Sequence, residues 1–206
     1  MTNLALVLGA YLLGSVSFSL LIVRLLRGQD IRDLGSGNAG ATNVLRNLGK
    51  APALAVLLLD IGKGVLAVAL ARALDAPGPV VGAAALAVIL GHIFPIYFGF
   101  RGGKGVATIT GSLGTLALKP ALLSALVFLV VLALSRMVSL GSIVGSGVFP
   151  LLVYLCGHFG LTPPAPAWLL VTATLAALLI IAVHHENIAR ILAGKERRLG
   201  DPKEEP

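Results

Sequence analysis

A chain of 206 residues that is 57% hydrophobic and 12% charged, with a mean hydropathy of +0.95, lies outside the composition of soluble globular domains. Sixteen Lys and Arg against nine Asp and Glu leave a formal charge of +7. On so apolar a chain that excess belongs to loops at one membrane face, and no RNA- or DNA-binding pattern accompanies it.

In chain order, six apolar runs stand out, at 4–23, 52–71, 79–98, 121–135, 138–156 and 167–183. Most approach the ~20 residues that cross a hydrocarbon core. No basic residue precedes the first run, and Arg24 and Arg27 follow it in place of a small-residue cleavage site, so it reads as an uncleaved anchor. The single cysteine, Cys156, sits inside an apolar run, which excludes a disulfide framework and a thiolate metal cluster. Residues 105–118 form a shorter stretch richer in Thr, Ser and Gly, short enough for a re-entrant turn. Charge placement decides for crossing. With six spans, the basic tail (Arg190, Lys195, Arg197, Arg198, Lys203) falls opposite the 24–50 loop. With seven, Arg24, Arg27, Arg32, Arg46, Lys50, Arg101, Lys104, Arg136 and the tail share the inner side, leaving only Arg72 and Lys119 outside.

The expected fold is therefore all-α: a polytopic integral membrane protein with seven transmembrane helices, the fourth short, the N-terminus outside and the C-terminus cytoplasmic. Residues 1–206 form a single membrane domain, with cytoplasmic motif loops at 24–50 and 99–105 and a tail at 184–206. Gly141, Gly145 and Ser142, Ser146 repeat small residues at four-residue spacing, which lets helices pack closely. Asp60 and Lys63 stand three apart inside the second span and can pair on one face. An intramembrane charge points to function, and a structural ion pair explains it equally well.

Three polar clusters fall on the inner side. The first, within LGSGNAGATNVLRNLGK (34–50), offers backbone N–H groups beside Gly35, Gly37, Gly40 and Ala41, hydroxyls of Ser36 and Thr42, amides of Asn38 and Asn43, and the Arg46 guanidinium. These suit a phosphate dianion, with a flexible inter-helix loop as the plainer alternative. Gly35, Gly37 and Gly40 satisfy G-x-G-x-x-G, but no strand precedes them. The second cluster, GHIFPIYFGFRGGKGVAT (91–108), surrounds Arg101 and Lys104 with Gly99, Gly102, Gly103 and Gly105 before a helix start, where an anion is favoured. Its glycine spacing departs from a Walker A loop, and Gly105 stands where Ser or Thr would bind magnesium, which disfavours nucleotide hydrolysis. His92 reads as a packed, hydrogen-bonded core histidine. The third cluster, HHENIARILAGKERR (184–198), places His184, Asn187 and Arg190 at three-residue spacing if the helix continues, with a surface amphipathic tail as the alternative. The adjacent histidines point apart and no HExxH follows, so no metal site and no cofactor is expected.

Together the three clusters resemble the bacterial acyl-phosphate:glycerol-3-phosphate acyltransferase family, PlsY, in order and spacing over nearly the whole chain. The resemblance implies transfer of an acyl group from acyl-phosphate to the sn-1 hydroxyl of glycerol 3-phosphate. The products would be lysophosphatidic acid and inorganic phosphate, made on the cytoplasmic side of the bacterial inner membrane. It makes Ser36, Arg46, His184 and Asn187 the catalytic set. It gives substrate binding to Gly37, Asn38, Gly40, Ala41, Thr42 and Asn43 and to Gly102, Gly103, Lys104 and Gly105, and assigns Glu196 a mainly structural role. The implied partners are the two substrates and the lipid bilayer, with no nucleic acid.

The chemistry suits the residues. Two phosphorylated substrates bring about four negative charges together, which requires cations first. Either His184 accepts the hydroxyl proton or a substrate phosphate does. A transporter of a phosphorylated solute would place its cations near the bilayer midplane between repeats. An acyltransferase using a thioester donor is the nearest enzyme alternative.

Overall fold

The structure is a computed structural model that describes residues 2–201; residues 202–206, including Lys203 of the basic tail, lie outside the described residues. Among the described residues ten α-helices and two short 3-10 turns form, and no strand occurs. The chain divides into two compact units, one up to Thr115 and one from Leu116 onward.

The first unit holds α1 (Thr2–Gly14), α2 (Phe18–Arg27), α3 (Ala41–Leu48), α4 (Lys50–Ala73), α5 (Gly78–Ile93) and α6 (Val106–Leu116), whose last residue opens the second unit. On α4, Ala53, Val56, Ala67 and Ala71 are buried while Leu54, Leu58, Leu66 and Leu70 are exposed. A helix in water would turn its leucines inward; this distribution belongs to lipid, where leucines meet acyl chains and small residues let backbones approach. Two reciprocal glycine contacts carry that approach. Gly14 of α1 lies against the backbone of Val88 on α5, and Gly91 of α5 lies against the backbone of Tyr11 and Ser15. Likewise Gly64 of α4 meets Thr108 of α6, and Gly111 of α6 meets Ile61 of α4, so a Cβ at any of the four would overlap backbone atoms. Because the 94–105 segment joins α5 to α6, these crossings fix both of its ends.

The first apolar run, continuous in sequence, is broken in the structure: α1 ends at Gly14 and α2 starts at Phe18. In hydrocarbon a broken helix must pair its released polar groups within the protein. The Ser15 hydroxyl donates to the Tyr11 carbonyl at 2.9 Å, and Lys63 Nζ donates to the Val16 carbonyl at 2.8 Å.

The second unit holds α7 (Leu118–Ser135), α8 (Val138–His158), α9 (Ala167–Val183) and α10 (His185–Leu192). As the small-residue repeat predicts, Gly141 and Gly145 of α8 seat against Phe128 of α7, and the Ser124 hydroxyl donates to the Gly145 carbonyl at 2.7 Å. The last span does not run straight into the tail: α10 leaves α9 at a bend of 59°.

Among the described residues five helical stretches are long and apolar enough to cross a membrane, or six when α9 and α10 count as one bent span. α6 is apolar but has 11 residues, about 16 Å at 1.5 Å per residue, roughly half of a ~30 Å hydrocarbon core.

Candidate functional site

The loop between α2 and α3 is organised by two side chains. Asp30 accepts the backbone N–H of Arg32 at 3.0 Å, and its two carboxylate oxygens take Arg32 Nε at 3.0 Å and Nη2 at 2.8 Å. Arg24 adds a contact at 3.1 Å. The Arg32 hydrogen bond is the main cause that holds the Asp30 carboxyl down at about 2, against the opposing effect of burial. The remaining guanidinium nitrogen of Arg32 donates to the carbonyls of Phe98 at 2.8 Å and Arg101 at 3.3 Å, so Arg32 ties the first loop to the second. Sequence reasoning counted Arg32 only as an inner-face charge and missed this role. An Asp two residues before an Arg signals a local cap; nothing in the spacing points to residues 98 and 101.

Asn43 is the second organiser. Its amide nitrogen donates to the carbonyls of Ile31, Leu34 and Asn38 at 3.1, 2.9 and 3.1 Å. Its oxygen accepts from Ser36 N at 3.2 Å and Asn47 Nδ2 at 3.0 Å. Gly35, at φ +56°, passes so close to this amide that a Cβ would sit 2.6 Å from Asn43 Oδ1. The loop is therefore a built object rather than a flexible linker. Ser36 and Gly37 are exposed on it, Asn38, Gly40, Ala41, Thr42 and Arg46 are half-buried, and Asn43 enters the site through the loop it shapes. Asn43→Ala takes a second donor from the Ile31, Leu34 and Asn38 carbonyls, which keep the N–H groups of Leu34, Gly37 and Gly40, and removes the acceptor of the Ser36 N–H; it should destabilise the protein by about 2 kcal/mol. Thermal unfolding of detergent-purified protein checks this, and an unchanged midpoint contradicts it.

The second loop starts where α5 ends and delivers Lys104 two residues before α6 begins at Val106, as the sequence predicts. Gly102 and Gly103 donate their N–H groups to the Ile93 and His92 carbonyls, each at 3.1 Å. Those two N–H groups shape the loop; Lys104 is half-buried on it, and the first turn of α6 follows with N–H groups that have no intrahelical acceptor. Gly103 is required by space, since a Cβ there would overlap His92 Nε2 and lie 2.7 Å from the Ala39 carbonyl. Ala39 belongs to the first loop, so both loops meet at Gly103.

The third cluster lies in the second unit. His184 is 3% exposed at the α9–α10 bend, and its Nδ1 lies 2.7 Å from the Ile180 carbonyl. A carbonyl only accepts, so Nδ1 carries the proton and Nε2 is the basic nitrogen of the neutral ring. Asn187, 7% exposed, donates to Glu196 Oε1 at 2.6 Å. The same oxygen accepts from the Ser139 hydroxyl at 2.6 Å, and Oε2 takes Arg190 Nε at 2.8 Å. Burial raises the Glu196 pKa, but the bonds from Ser139, Arg190 and Asn187 outweigh it and leave the carboxyl below its ordinary range. Glu196 thus ties α8, α10 and the tail together. Among the described residues, no three His, Cys, Asp or Glu side chains gather as a metal-holding group.

The fold and these loops define a helical membrane protein with glycine-shaped, cationic loops at helix starts. Residues 4–194 match the family model described as glycerol-3-phosphate acyltransferase. Glycerol-3-phosphate acyltransferases of Halalkalibacterium halodurans and Shouchella clausii are 47% and 48% identical to this chain, over 97% and 96% of it and 96% of each relative. The crystal structure of PlsY (YgiH), an integral membrane glycerol 3-phosphate acyltransferase, in its glycerol 3-phosphate form superposes with a TM-score of 0.89 at 41% identity, covering 97% of this chain and 96% of the other. Its lysophosphatidic acid form gives 0.87 at 39%, with the same coverage. The chain belongs to the glycerol-3-phosphate acyltransferase family.

Proposed function

We propose that this protein transfers an acyl group from acyl-phosphate to the sn-1 hydroxyl of glycerol 3-phosphate, giving lysophosphatidic acid and inorganic phosphate. The observation that carries the reading is family membership over nearly the full chain, with a relative of known structure bearing glycerol 3-phosphate in one form and lysophosphatidic acid in another. Counting α6 as a short span and α9–α10 as one bent span gives seven crossings, with the N-terminus outside and the whole chain acting as one membrane domain. That arrangement turns the loops and the tail toward the cytoplasm and obeys the positive-inside rule, which favours the bacterial inner membrane as the location.

In this reading Arg46, Lys104 and the first turn of α6 hold phosphate, joined by Ser36, Gly37, Asn38, Gly40, Ala41 and Thr42. Gly102, Gly103 and Gly105 keep the second loop in shape. The hydroxyl oxygen of glycerol 3-phosphate attacks the acyl carbonyl carbon, the bond between that carbon and the bridging phosphate oxygen breaks, and phosphate leaves. The hydroxyl proton goes either to His184 Nε2, or to a substrate phosphate oxygen whose second pKa, about 6, is close to that of imidazole. Asn187 orients the acceptor alcohol beside His184. The apolar helix faces supply the surface for the acyl chain, which explains why a phosphate-handling enzyme sits in lipid.

The deciding experiment compares donors in a purified assay. Acyl-phosphate should support lysophosphatidic acid formation without added metal, whereas turnover only with acyl-CoA or acyl carrier protein would remove the donor assignment. His184→Ala then separates the two proton routes. A retained turnover number with a raised KM for glycerol 3-phosphate assigns His184 to binding, and a large loss of kcat that shrinks toward low pH, where a protonated imidazole can no longer accept a proton, assigns it the proton.

A further inference from the structure

The first unit contains a buried group of ionisable side chains that the proposed chemistry does not use. Asp60 and Lys63 of α4 and His92 of α5 are 1%, 3% and 5% exposed. Lys63 Nζ stands 2.9 Å from Asp60 Oδ1, donates to the Val16 carbonyl, and lies 5.6 Å from the centre of the Phe18 ring. His92 Nδ1 is 3.5 Å from the same Asp60 oxygen. Neither approach meets hydrogen-bond geometry: the Lys63 contact is an ion pair, and His92 Nδ1, otherwise unpartnered, faces the same Asp60 oxygen. Well-packed apolar residues would fill this space at lower free-energy cost, because a buried ion pair recovers little more than its desolvation penalty. Packing alone therefore leaves the group unexplained.

What it adjoins supplies the explanation. On the side of the ring away from Asp60, His92 Nε2 occupies the space that a Cβ on Gly103 would need, and the His92 carbonyl accepts the Gly103 N–H. His92 thus meets the second loop twice, once through its ring and once through its backbone, at the residue preceding Lys104. Gly103 is also where the Ala39 carbonyl of the first loop arrives. A continuous line of contacts runs from Lys63 through Asp60 and His92 to Gly103, and ends beside both loops.

We infer that Asp60, Lys63 and His92 form a buried foundation for the glycine loop, in which the Asp60 carboxylate fixes the His92 ring and the ring fixes Gly103 and hence Lys104. His92 and Asp60 are positioning residues for the reaction. The inference rests on the reading of 99–105 as a phosphate-holding loop. Without the carboxylate the ring can turn about its side-chain torsions, Gly102 to Gly105 relax, and substrate is held in a looser geometry.

The test uses the full chain in detergent, with both substrates varied and thermal unfolding followed in parallel. His92→Phe keeps bulk but loses the polar contact to Asp60. The pair Asp60→Asn with Lys63→Met leaves no uncompensated buried charge, and so guards against a variant that fails only by unfolding. Each is expected to raise KM for one phosphorylated substrate by about tenfold or more and to lower kcat in the same direction as Lys104→Ala but by less, because misplacement of a group by a fraction of an ångström has effects of that order. Combining His92→Phe with the Asp60→Asn and Lys63→Met pair should be no worse than the more damaging of the two, since they act in series. Wild-type KM values in the folded neutral pair, or penalties that multiply in the combination, would overturn the inference. A neutral pair that cannot fold would reduce the group to a structural ion pair and overturn it as well. Lys104→Ala serves as the control: if it is harmless, the phosphate-loop reading fails and the inference with it; if it is inactive while His92→Phe is silent, only the inference fails.

Discussion

Lys104→Ala should lower kcat/KM by about 1000-fold. Two unit charges ~4 Å apart in a partly dry protein environment interact by about 4 kcal/mol, and each 1.36 kcal/mol of transition-state stabilisation is tenfold in rate. The negative charge on the departing phosphate grows as the acyl bond breaks, so a cation beside it contributes more in the transition state than in the bound substrate. The loss should therefore appear in kcat as well as KM. Lys104→Arg keeps the charge but spreads it over a planar group in a loop with little spare room around Gly103, so it should recover only part of the rate. Phosphate release from acyl-phosphate, measured with and without glycerol 3-phosphate, reads both quantities. Turnover within tenfold of wild type for the alanine variant would remove Lys104 from the chemistry.

Glu196→Ala is the second large effect, and its route is different. The carboxylate collects Ser139, Asn187 and Arg190, so truncation leaves a hydroxyl, an amide and a guanidinium without that acceptor. Breaking such a half-buried charged network costs about 3 kcal/mol or more. Activity should fall with it, because Asn187 loses the partner that sets its rotamer. Glu196→Gln keeps the shape and one acceptor oxygen and should cost less. The pH dependence follows from the lowered pKa of Glu196. A folded-state value below the unfolded one means that this stabilisation is fully present above the unfolded value, 4.5 for a free glutamate side chain. It is lost as pH falls through the folded value. The gap in unfolding midpoint between wild type and Glu196→Gln should thus be constant near neutrality and close in acid, as pH falls below 4.5 and through the lower folded-state value, where Glu196 itself becomes neutral. A gap that persists in acid would assign the stabilisation to shape rather than charge.

Much of this protein was readable along the chain. The apolar runs became helices at nearly the expected bounds, since a polar backbone in hydrocarbon has no lower-energy way to pair its own groups. The start of α6 after the Lys104 loop and the tight α7–α8 contact at Gly141 and Gly145 followed from glycine placement. Arg72 and Lys119 were also legible as span-end charges, and each closes an end, with Arg72 donating to the Thr115 carbonyl at 2.6 Å and Lys119 to the Leu161 carbonyl at 2.7 Å. Other features were not legible. The break of the first run at residues 15–17 carries no proline; its buried Ser15 and Ser17 bond to the Tyr11 carbonyl and the Ser19 hydroxyl, while Lys63, 47 positions away, takes the Val16 carbonyl. The bend at His184 likewise has no local breaker in the sequence.

The sequence by itself determined that the chain is helical and membrane-embedded, and it singled out three polar segments as candidates for the chemistry. Those properties depend on hydropathy, charge and glycine content, which are local sums. Only the tertiary structure decided what the polar side chains within those segments do. Asn43 offers an amide to substrate or to backbone with equal chemical ease; the three carbonyls that surround it in the folded loop commit it to backbone. Arg32 becomes a tie between the two loops because Phe98 and Arg101 arrive within its reach. His92 becomes a neighbour of both Asp60 and Gly103 because the glycine contacts at Gly14, Gly64, Gly91 and Gly111 bring α1, α4, α5 and α6 to backbone distance. A hydrogen bond forms or fails over tenths of an ångström, and those distances are set by helix packing between residues far apart in the chain.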